Sequence, residues 1–83
     1  MYELIFAKRA VEELNKLENY IKERILNKLR LCKEDPFRFF EKLIEIGGFK
    51  LRIGDYRILA DIDANLKKIY INKTGHRRNI YDN

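Results

Sequence analysis

Two alternating stretches joined by the dipeptide Gly54-Asp55 limit most strictly what this chain can fold into. Residues 49–53 read F-K-L-R-I, and residues 56–62 read Y-R-I-L-A-D-I. A period of two is typical of strands with one buried face, and a two-residue loop that begins with glycine is typical of a type II′ hairpin. The sequence therefore predicts an antiparallel hairpin with an apolar core face. The predicted core-face pairs are Ile53 with Tyr56, Leu51 with Ile58, and Phe49 with Ala60.

The other face of this predicted hairpin breaks a rule of sheet stability. Arg52 is placed directly opposite Arg57, and Lys50 lies on the same face opposite Leu59. Like charges directly opposite on a sheet are destabilising, on the order of several tenths of a kcal/mol. A charged face that is merely solvated would explain any one of these side chains. Because three cations converge and a local rule is broken without compensation, the pattern favours a site for an anion.

A last strand is predicted over residues 67–74, after a turn over residues 63–66. In this register Ile69 and Ile71 join the core face, and Asp61 lies opposite Lys68 as a salt-bridge candidate. The charged face gains an aromatic among its cations, a combination that holds phosphates and stacks bases. The residues predicted to join this face are Lys68, Tyr70, Asn72 and Thr74, with Tyr70 beside Lys50, Arg52 and Arg57.

The first half of the chain predicts one strand and a helical hairpin. Residues 2–6 favour a strand, and helical periodicity begins at about Lys8, with a hitch at residues 15–19. Asp35-Pro36 ends the second helix, and residues 37–48 form a connector. The order β-α-α-β-β-β predicts an α+β fold, a small antiparallel sheet with the helical hairpin packed on one face. We expect one domain over residues 1–83.

Charge and composition narrow the function. The net charge is +5: residues 1–49 hold ten Lys/Arg and nine Asp/Glu, and residues 50–83 hold eight and four. The basic excess in the second part attracts phosphates. No apolar run approaches the roughly 20 residues that span a membrane, and the polar N-terminus does not resemble a signal peptide. The single cysteine, Cys32, fits a reducing compartment and a buried thiol, so we expect a cytoplasmic protein.

A second cluster lies at residues 75–81, which read G-H-R-R-N-I-Y. His76 is the only histidine, and it precedes two arginines in a segment too polar for the core. A lone histidine is usually incidental, but this one follows directly from the last strand, so the segment can fold over the charged face. One histidine and a distant cysteine do not form a metal site, and neither a metal nor another cofactor is expected.

These two clusters, with the order of elements, resemble the RelE/ParE superfamily of toxins from type II toxin–antitoxin pairs. The resemblance covers essentially the whole chain and rests on F-K-L-R-I-G-D-Y-R at residues 49–57 and on H-R-R-N-I-Y at residues 76–81. It implies a ribosome-dependent endoribonuclease that cuts messenger RNA in the A site through attack of the 2′-hydroxyl. It also implies two partners: the ribosome with its messenger, and an acidic, partly disordered antitoxin.

The resemblance also assigns roles to individual residues. Lys50 would assist proton removal or stabilise charge, Arg57 would hold the scissile phosphate, and Arg77 or Arg78 would assist the leaving group. Tyr81 would orient or stack the substrate. His76 would serve as acid or base. The remaining RNA contacts are expected from Arg52, Tyr70 and Arg78.

One departure from the family pattern keeps alternatives open. Gly48 lies where several nucleases of the family carry Lys or Glu, so Lys50 or His76 would have to act as the base. A ParE-like inhibitor of DNA gyrase that cuts no RNA shares the same fold. A non-toxic relative that only binds its antitoxin is the third alternative. Fold alone does not distinguish these three.

Overall fold

A computed structural model describes residues 1–80 of the protein. The predicted order β-α-α-β-β-β is confirmed, with a short helix and a two-residue strand added in the connector. Within this part of the chain no helix is long and apolar enough to cross a membrane. The elements in chain order are β1 (Glu3–Phe6), α1 (Lys8–Asn15), α2 (Asn19–Cys32), α3 (Pro36–Phe39), β2 (Glu41–Lys42), β3 (Phe49–Ile53), β4 (Tyr56–Asp63) and β5 (Lys68–His76).

The five strands form one sheet in the order β1-β5-β4-β3-β2. Three of the neighbouring pairs are antiparallel, but β1 runs parallel to β5. The sheet is therefore mixed, and the prediction of a wholly antiparallel sheet is wrong. Alternation along a strand reports which side chains share a face, and it carries no information about the direction of the neighbouring strand. The helical segment after β1 is long enough to place that strand in either direction.

The hairpin of β3 and β4 has the predicted register in every pair, including Arg52 opposite Arg57 and Lys50 opposite Leu59. Gly54 adopts φ +56°, the left-handed conformation that a type II′ turn needs at its first loop position. This local geometry fixes which side chains face the helices. The loop dipeptide therefore determines the arrangement of both faces of the hairpin.

The helices pack on one face of the sheet, as predicted. Helix α1 lies against β5, and α2 contacts β3. In α1 the buried residues are Ala10 and Leu14, whereas Val11 is 41% exposed. Burial raises the pKa of the Cys32 thiol to about 11, as expected for a cysteine enclosed by apolar neighbours. The main buried core side chains are Ile25, Leu29, Leu51, Ile58, Ile69 and Ile71.

The connector is more ordered than the sequence indicates. Pro36 begins α3 at the position where a proline's missing N–H is not needed. Phe40 is buried, and the ring of Phe37 contacts Tyr2 and Phe49 edge to face. Through these aromatic contacts the connector packs against β3 and the residue before β1.

The turn between β4 and β5 lies one residue later than predicted. It covers residues 64–67 and closes with Lys67 at φ 56°, while the Asp63 carboxylate accepts hydrogen bonds from the N–H groups of Asn65 and Leu66. As a result Lys68 pairs with Asp63, and the predicted pairing of Asp61 with Lys68 is wrong. Ile69 and Ile71 are buried on the core face, as predicted.

A β-bulge interrupts the pairing of β4 with β5. Ala60 pairs with Ile71, but the next residue, Leu59, pairs with Lys73, so Asn72 is the extra residue. Every later residue of β5 therefore changes face. Thr74 is buried on the helix side, against the prediction, and its N–H donates to Glu13 Oε1 at 2.9 Å.

Candidate active site

The sheet face that α1 and α2 leave uncovered, here called the open face, carries most of the predicted site. Arg52 and Arg57 lie directly opposite each other on it, with Lys50 one pair further from the hairpin loop. On the other side of Arg57 the neighbour in β5 is Gly75. The side chain of Ile80 comes within 3.5 Å of the point where a Cβ of Gly75 would lie. The segment after β5 thus folds over the open face, as predicted.

Arg57 is the most unusual residue of this face because its side chain is almost buried, with 8% of its surface exposed. Nη1 donates to the carbonyl oxygens of Gly54 at 2.8 Å and of Tyr56 at 2.9 Å. No carboxylate in residues 1–80 forms an ion pair with it. A cation that is held in place by carbonyl groups, with no carboxylate partner in the described part of the chain, favours an anionic ligand.

The hairpin turn also explains how Arg57 tolerates Arg52. The guanidinium of Arg57 is bound to carbonyl oxygens at the loop end, whereas Arg52 is exposed. Solvent screens the charge of the exposed partner, which reduces the repulsion between the two. The pair is therefore compatible with the fold and keeps two positive charges side by side.

Lys50 has a neighbour that the sequence did not reveal. Glu41 of β2 pairs with it across the sheet, and its Oε1 lies 3.5 Å from Lys50 Nζ. A two-residue strand shows no alternation, so no sequence pattern pointed to Glu41. The open face thus presents a carboxylate next to a lysine and two arginines, a set that can accept a proton and stabilise a phosphate.

His76 lies on the opposite face from these cations. It is the last residue of β5 and pairs with Tyr56, whose ring its own ring meets edge to face at 5.5 Å. Its Nδ1 accepts a hydrogen bond from the N–H of Arg78 at 3.2 Å. The sequence placed His76 with the charged face, and this is wrong because the bulge changes the face of each later residue of β5.

Arg77 and Arg78 belong to the segment that follows β5, here called the tail, which lies at the loop end of the hairpin of β3 and β4. The N–H of Arg77 donates to the Asp55 carbonyl at 2.7 Å, and its Nε lies 3.8 Å from Asp55 Oδ1. Arg78 is exposed. The carbonyl of His76 accepts hydrogen bonds from the N–H groups of Asn79 and Ile80, which closes a turn under both arginines.

Tyr70 is not brought to the arginines. It pairs with Asp61 and with Ile5 of β1. Asp61 and Arg57 are four residues apart on β4, a separation of about 13 Å along the strand. The prediction that Tyr70 lies beside Arg52 and Arg57 is therefore wrong. Tyr81, the other predicted aromatic, lies outside the described residues.

Lys73 is a cation of the open face that the sequence analysis missed. Uninterrupted alternation from Ile69 and Ile71 assigns it to the core face. The bulge instead places it opposite Leu59, which also has Lys50 as its neighbour on the other side. Only a bulge signal could have found it, and the sequence here carries no glycine to mark one. Within residues 1–80 no group of three or more His, Cys, Asp or Glu could hold a metal ion.

Comparisons with known proteins identify the family of this chain. The family model described as the ParE toxin of the type II toxin–antitoxin system parDE matches residues 4–81. A search of curated proteins finds no match.

The fold is similar to several solved structures. A chain of the toxin–antitoxin complex RelBE2 from Mycobacterium tuberculosis has 29% sequence identity and a TM-score of 0.84, and the match covers 92% of this protein and 98% of that chain. A chain of the archaeal RelE–RelB complex from Pyrococcus horikoshii OT3 has 26% sequence identity and a TM-score of 0.79, and the match covers 94% of this protein and 97% of that chain. The isolated E. coli RelE toxin has 25% identity and a TM-score of 0.79, and the match covers 92% of this protein and 84% of that chain. The chain therefore belongs to the ParE toxin family of type II toxin–antitoxin systems and has the fold of RelE toxins.

Proposed function

We propose that this protein is an endoribonuclease that cuts messenger RNA in the ribosomal A site and so inhibits translation. The observation that carries the proposal is Arg57, an almost buried cation without a carboxylate partner in residues 1–80. A ligand rich in negative charge would supply that partner, and Lys50 and Arg52 lie next to it. The similarity to RelE toxins supports RNA as this ligand.

In the proposed reaction a new bond forms between the 2′-oxygen and the neighbouring phosphorus. The bond from phosphorus to the 5′-oxygen breaks, leaving a cyclic phosphate and a 5′-hydroxyl. Glu41 would accept the proton of the 2′-hydroxyl, because it is the carboxylate that pairs with Lys50 on the open face. Lys50 would stabilise the developing charge, and Arg57 would hold the scissile phosphate. This arrangement supplies a base without needing a side chain at Gly48.

A residue of the tail, Arg77, would stabilise the leaving 5′-oxygen. Arg77 lies at the same end of the hairpin as Arg57, since it contacts Asp55 of the loop. It would stabilise the negative charge on the departing oxygen while water supplies the proton. Arg78 and Arg52 would bind flanking phosphates, and we retain the prediction that Tyr81 stacks on the substrate. For His76 the contacts favour a different task, that of holding the turn that carries the arginines.

The test is cleavage on programmed ribosomes. Purified protein should cut a defined messenger in the A site and leave the same messenger whole when ribosomes are omitted. Mapping of the 5′ ends should give products with a free 5′-hydroxyl. Intact messenger at saturating protein would contradict the proposal.

Inhibition of DNA gyrase is the second candidate, and one observation favours it. Gly48 has φ +76°, and a Cβ there would lie 3.0 Å from the carbonyl oxygen of Ala60. A Lys or Glu cannot replace Gly48 without strain. This chain therefore cannot place the side chain that several nucleases of the family carry at this position. A supercoiling assay decides: inhibited gyrase together with whole messenger would identify this second function. Continued growth of cells expressing the protein alone would instead identify a non-toxic relative.

We also propose an acidic antitoxin as the partner and the cytoplasm, where ribosomes lie, as the place of action. Several of the similar structures are described as complexes of a toxin with its antitoxin, among them RelBE2 from Mycobacterium tuberculosis and RelE–RelB from Pyrococcus horikoshii OT3. The net charge of +5 and the cations of the open face would attract an acidic chain. Co-expression with such a partner should restore growth and yield a complex that does not cut messenger.

A further inference from the structure

A groove lies on the open face beside the proposed active site. It is an open groove of about 450 Å³ between the loop at residues 43–48, the start of α1 and the bulged part of β5. This volume is within the range of small-molecule sites, roughly 300–1,000 Å³. Leu59 and Ile46 supply apolar lining, and Ile46 is 65% exposed. Leu59 is the next residue after Arg57 on this face, about 7 Å further along β4.

Arg9 lines this groove and is paired with Glu13, which also contacts the strand beyond the bulge. The bulge leaves the N–H of Thr74 to Glu13 Oε1, and the other carboxylate oxygen, Oε2, lies 3.2 Å from Arg9 Nε. With Nε bound in this way, the two terminal nitrogens are the part of the guanidinium that remains for a ligand. Lys73 lines the same groove. The arrangement suits a phosphate group, for which arginine offers two parallel donors.

The groove is also lined by a polar pair, Asp61 and Asn72. Asn72, the extra residue of the bulge, donates from Nδ2 to Asp61 Oδ2 at 2.9 Å. Within the described residues no hydrogen bond occupies Asp61 Oδ1, which lies 3.3 Å from the point where a Cβ of Gly48 would be. Any side chain at Gly48 would crowd this oxygen. The groove therefore exposes a charged acceptor above an apolar surface.

We infer that this groove binds one nucleotide of a single-stranded RNA, with its phosphate at Arg9 and its base over Leu59 against Asp61 and Asn72. The inference rests on the proposed function, because the nucleotide would be a neighbour of the one held at Arg57. A carboxylate accepts hydrogen bonds from exocyclic amino groups, which adenine, cytosine and guanine carry, whereas uracil offers only its ring N3–H, which lies between two carbonyl oxygens that repel a carboxylate. The site therefore selects a base with an amino group and disfavours uracil.

The test measures binding without cleavage. The probes are four RNA trinucleotides with a 2′-O-methyl group at each position, identical except for A, C, G or U in the centre. Blocked 2′-oxygens cannot attack, so the result does not depend on whether the protein cuts RNA. In NMR spectra of the protein we expect the side-chain amide signals of Asn72 to shift when the A, C or G probe is added. The affinity for the U probe should be lower by about fivefold.

Matched variants distinguish RNA binding in the groove from general electrostatic attraction of RNA to the basic protein. Arg9→Gln should weaken binding of the amino-bearing probes by about tenfold. Lys16→Gln removes the same charge from the exposed end of α1 and should change binding by about twofold at most. Asp61→Asn should abolish the discrimination against uracil, whereas Glu12→Gln, on the exposed side of α1, should preserve it.

The outcomes distinguish the inference from the proposed function. Equal losses for Arg9→Gln and Lys16→Gln, equal affinity for all four probes, or unmoved Asn72 signals would each overturn the groove as a nucleotide site. Messenger left whole on programmed ribosomes would overturn the nuclease, while base-selective binding at Asn72 would still establish the groove. Cleavage with unmoved Asn72 signals would establish the nuclease and reject the groove.

Discussion

The two hairpins of this sheet share strand β4 but are determined in different ways. Between β3 and β4 a two-residue loop with Gly54 at φ +56° sets the register, and every pair follows from it. Between β4 and β5 a four-residue turn is followed by a bulge at Leu59 and Ala60. The first hairpin obeys local rules that are visible in the sequence. The second depends on an interaction with α1, since the N–H of Thr74 donates to Glu13.

This difference determines which residues reach the open face. The unbulged hairpin presents Lys50, Arg52 and Arg57 as the alternation predicts. The bulge brings Lys73 to this face and turns His76 to the other side, against Tyr56. The unbulged hairpin thus supplies the proposed phosphate site. The bulged hairpin lines the groove, and its last residue, His76, accepts the hydrogen bonds of the turn that follows β5.

The largest effect is expected from Arg57→Ala, which removes the central cation of the unbulged hairpin. If this hairpin holds the scissile phosphate, cleavage on programmed ribosomes should fall by roughly 10²–10³-fold. Arg30→Ala, which removes an exposed arginine from α2, is the control and should cut like the parent. Because Arg57 is almost buried, circular dichroism should first establish that the variant is folded. A folded Arg57→Ala protein with parental cleavage would remove the basis of the proposed site.

The second effect concerns Glu41, the edge residue that pairs with Lys50. Glu41→Gln keeps the size of the side chain but cannot accept the proton of the 2′-hydroxyl, so single-turnover cleavage should slow by about 10²-fold. Glu45→Gln, on an exposed residue of the same connector, should cleave at the parental rate. Parental cleavage by Glu41→Gln would leave Lys50 as the remaining candidate base on the open face.

Most of the fold and half of the site could be predicted from the sequence. The helical stripes, the hairpin and the cation pair Arg52–Arg57 follow from periods and a turn signal that are local. The position of β1 does not, because its parallel pairing is independent of alternation. Glu41 and Lys73 were missed for separate reasons: a strand of two residues has no period, and a bulge shows no local signal where a contact with α1 stabilises it. Sequence reasoning therefore failed where long-range contacts override local pattern.

A smaller effect should separate two roles for His76 in the bulged hairpin. The contact from the Arg78 N–H to Nδ1 predicts that His76 positions the tail and exchanges no proton with RNA. Asparagine accepts a hydrogen bond from the N–H two residues later, and leucine cannot. His76→Leu should therefore lose about tenfold in cleavage, and His76→Asn should keep most of it. Equal losses in both variants would assign His76 to proton transfer instead. The ¹⁵N NMR chemical shifts of the imidazole offer a second measurement. If Nδ1 accepts a hydrogen bond, the proton of the neutral ring lies on Nε2, and the two nitrogens differ in shift.

The smallest effect tests the bulge through Glu13. Glu13→Ala removes the acceptor of the Thr74 N–H and the partner of Arg9 Nε. An N–H that loses its partner near the core destabilises by about 1 kcal/mol, which lowers the melting temperature of a chain of this size by roughly 4–8 °C. Glu12→Ala, on the exposed side of α1, should melt like the parent. Amide exchange should quicken in β5 near Thr74 and stay unchanged in the hairpin of β3 and β4. Faster exchange in both hairpins would mean that Glu13 stabilises the whole sheet, and the two hairpins would then not differ in the way proposed.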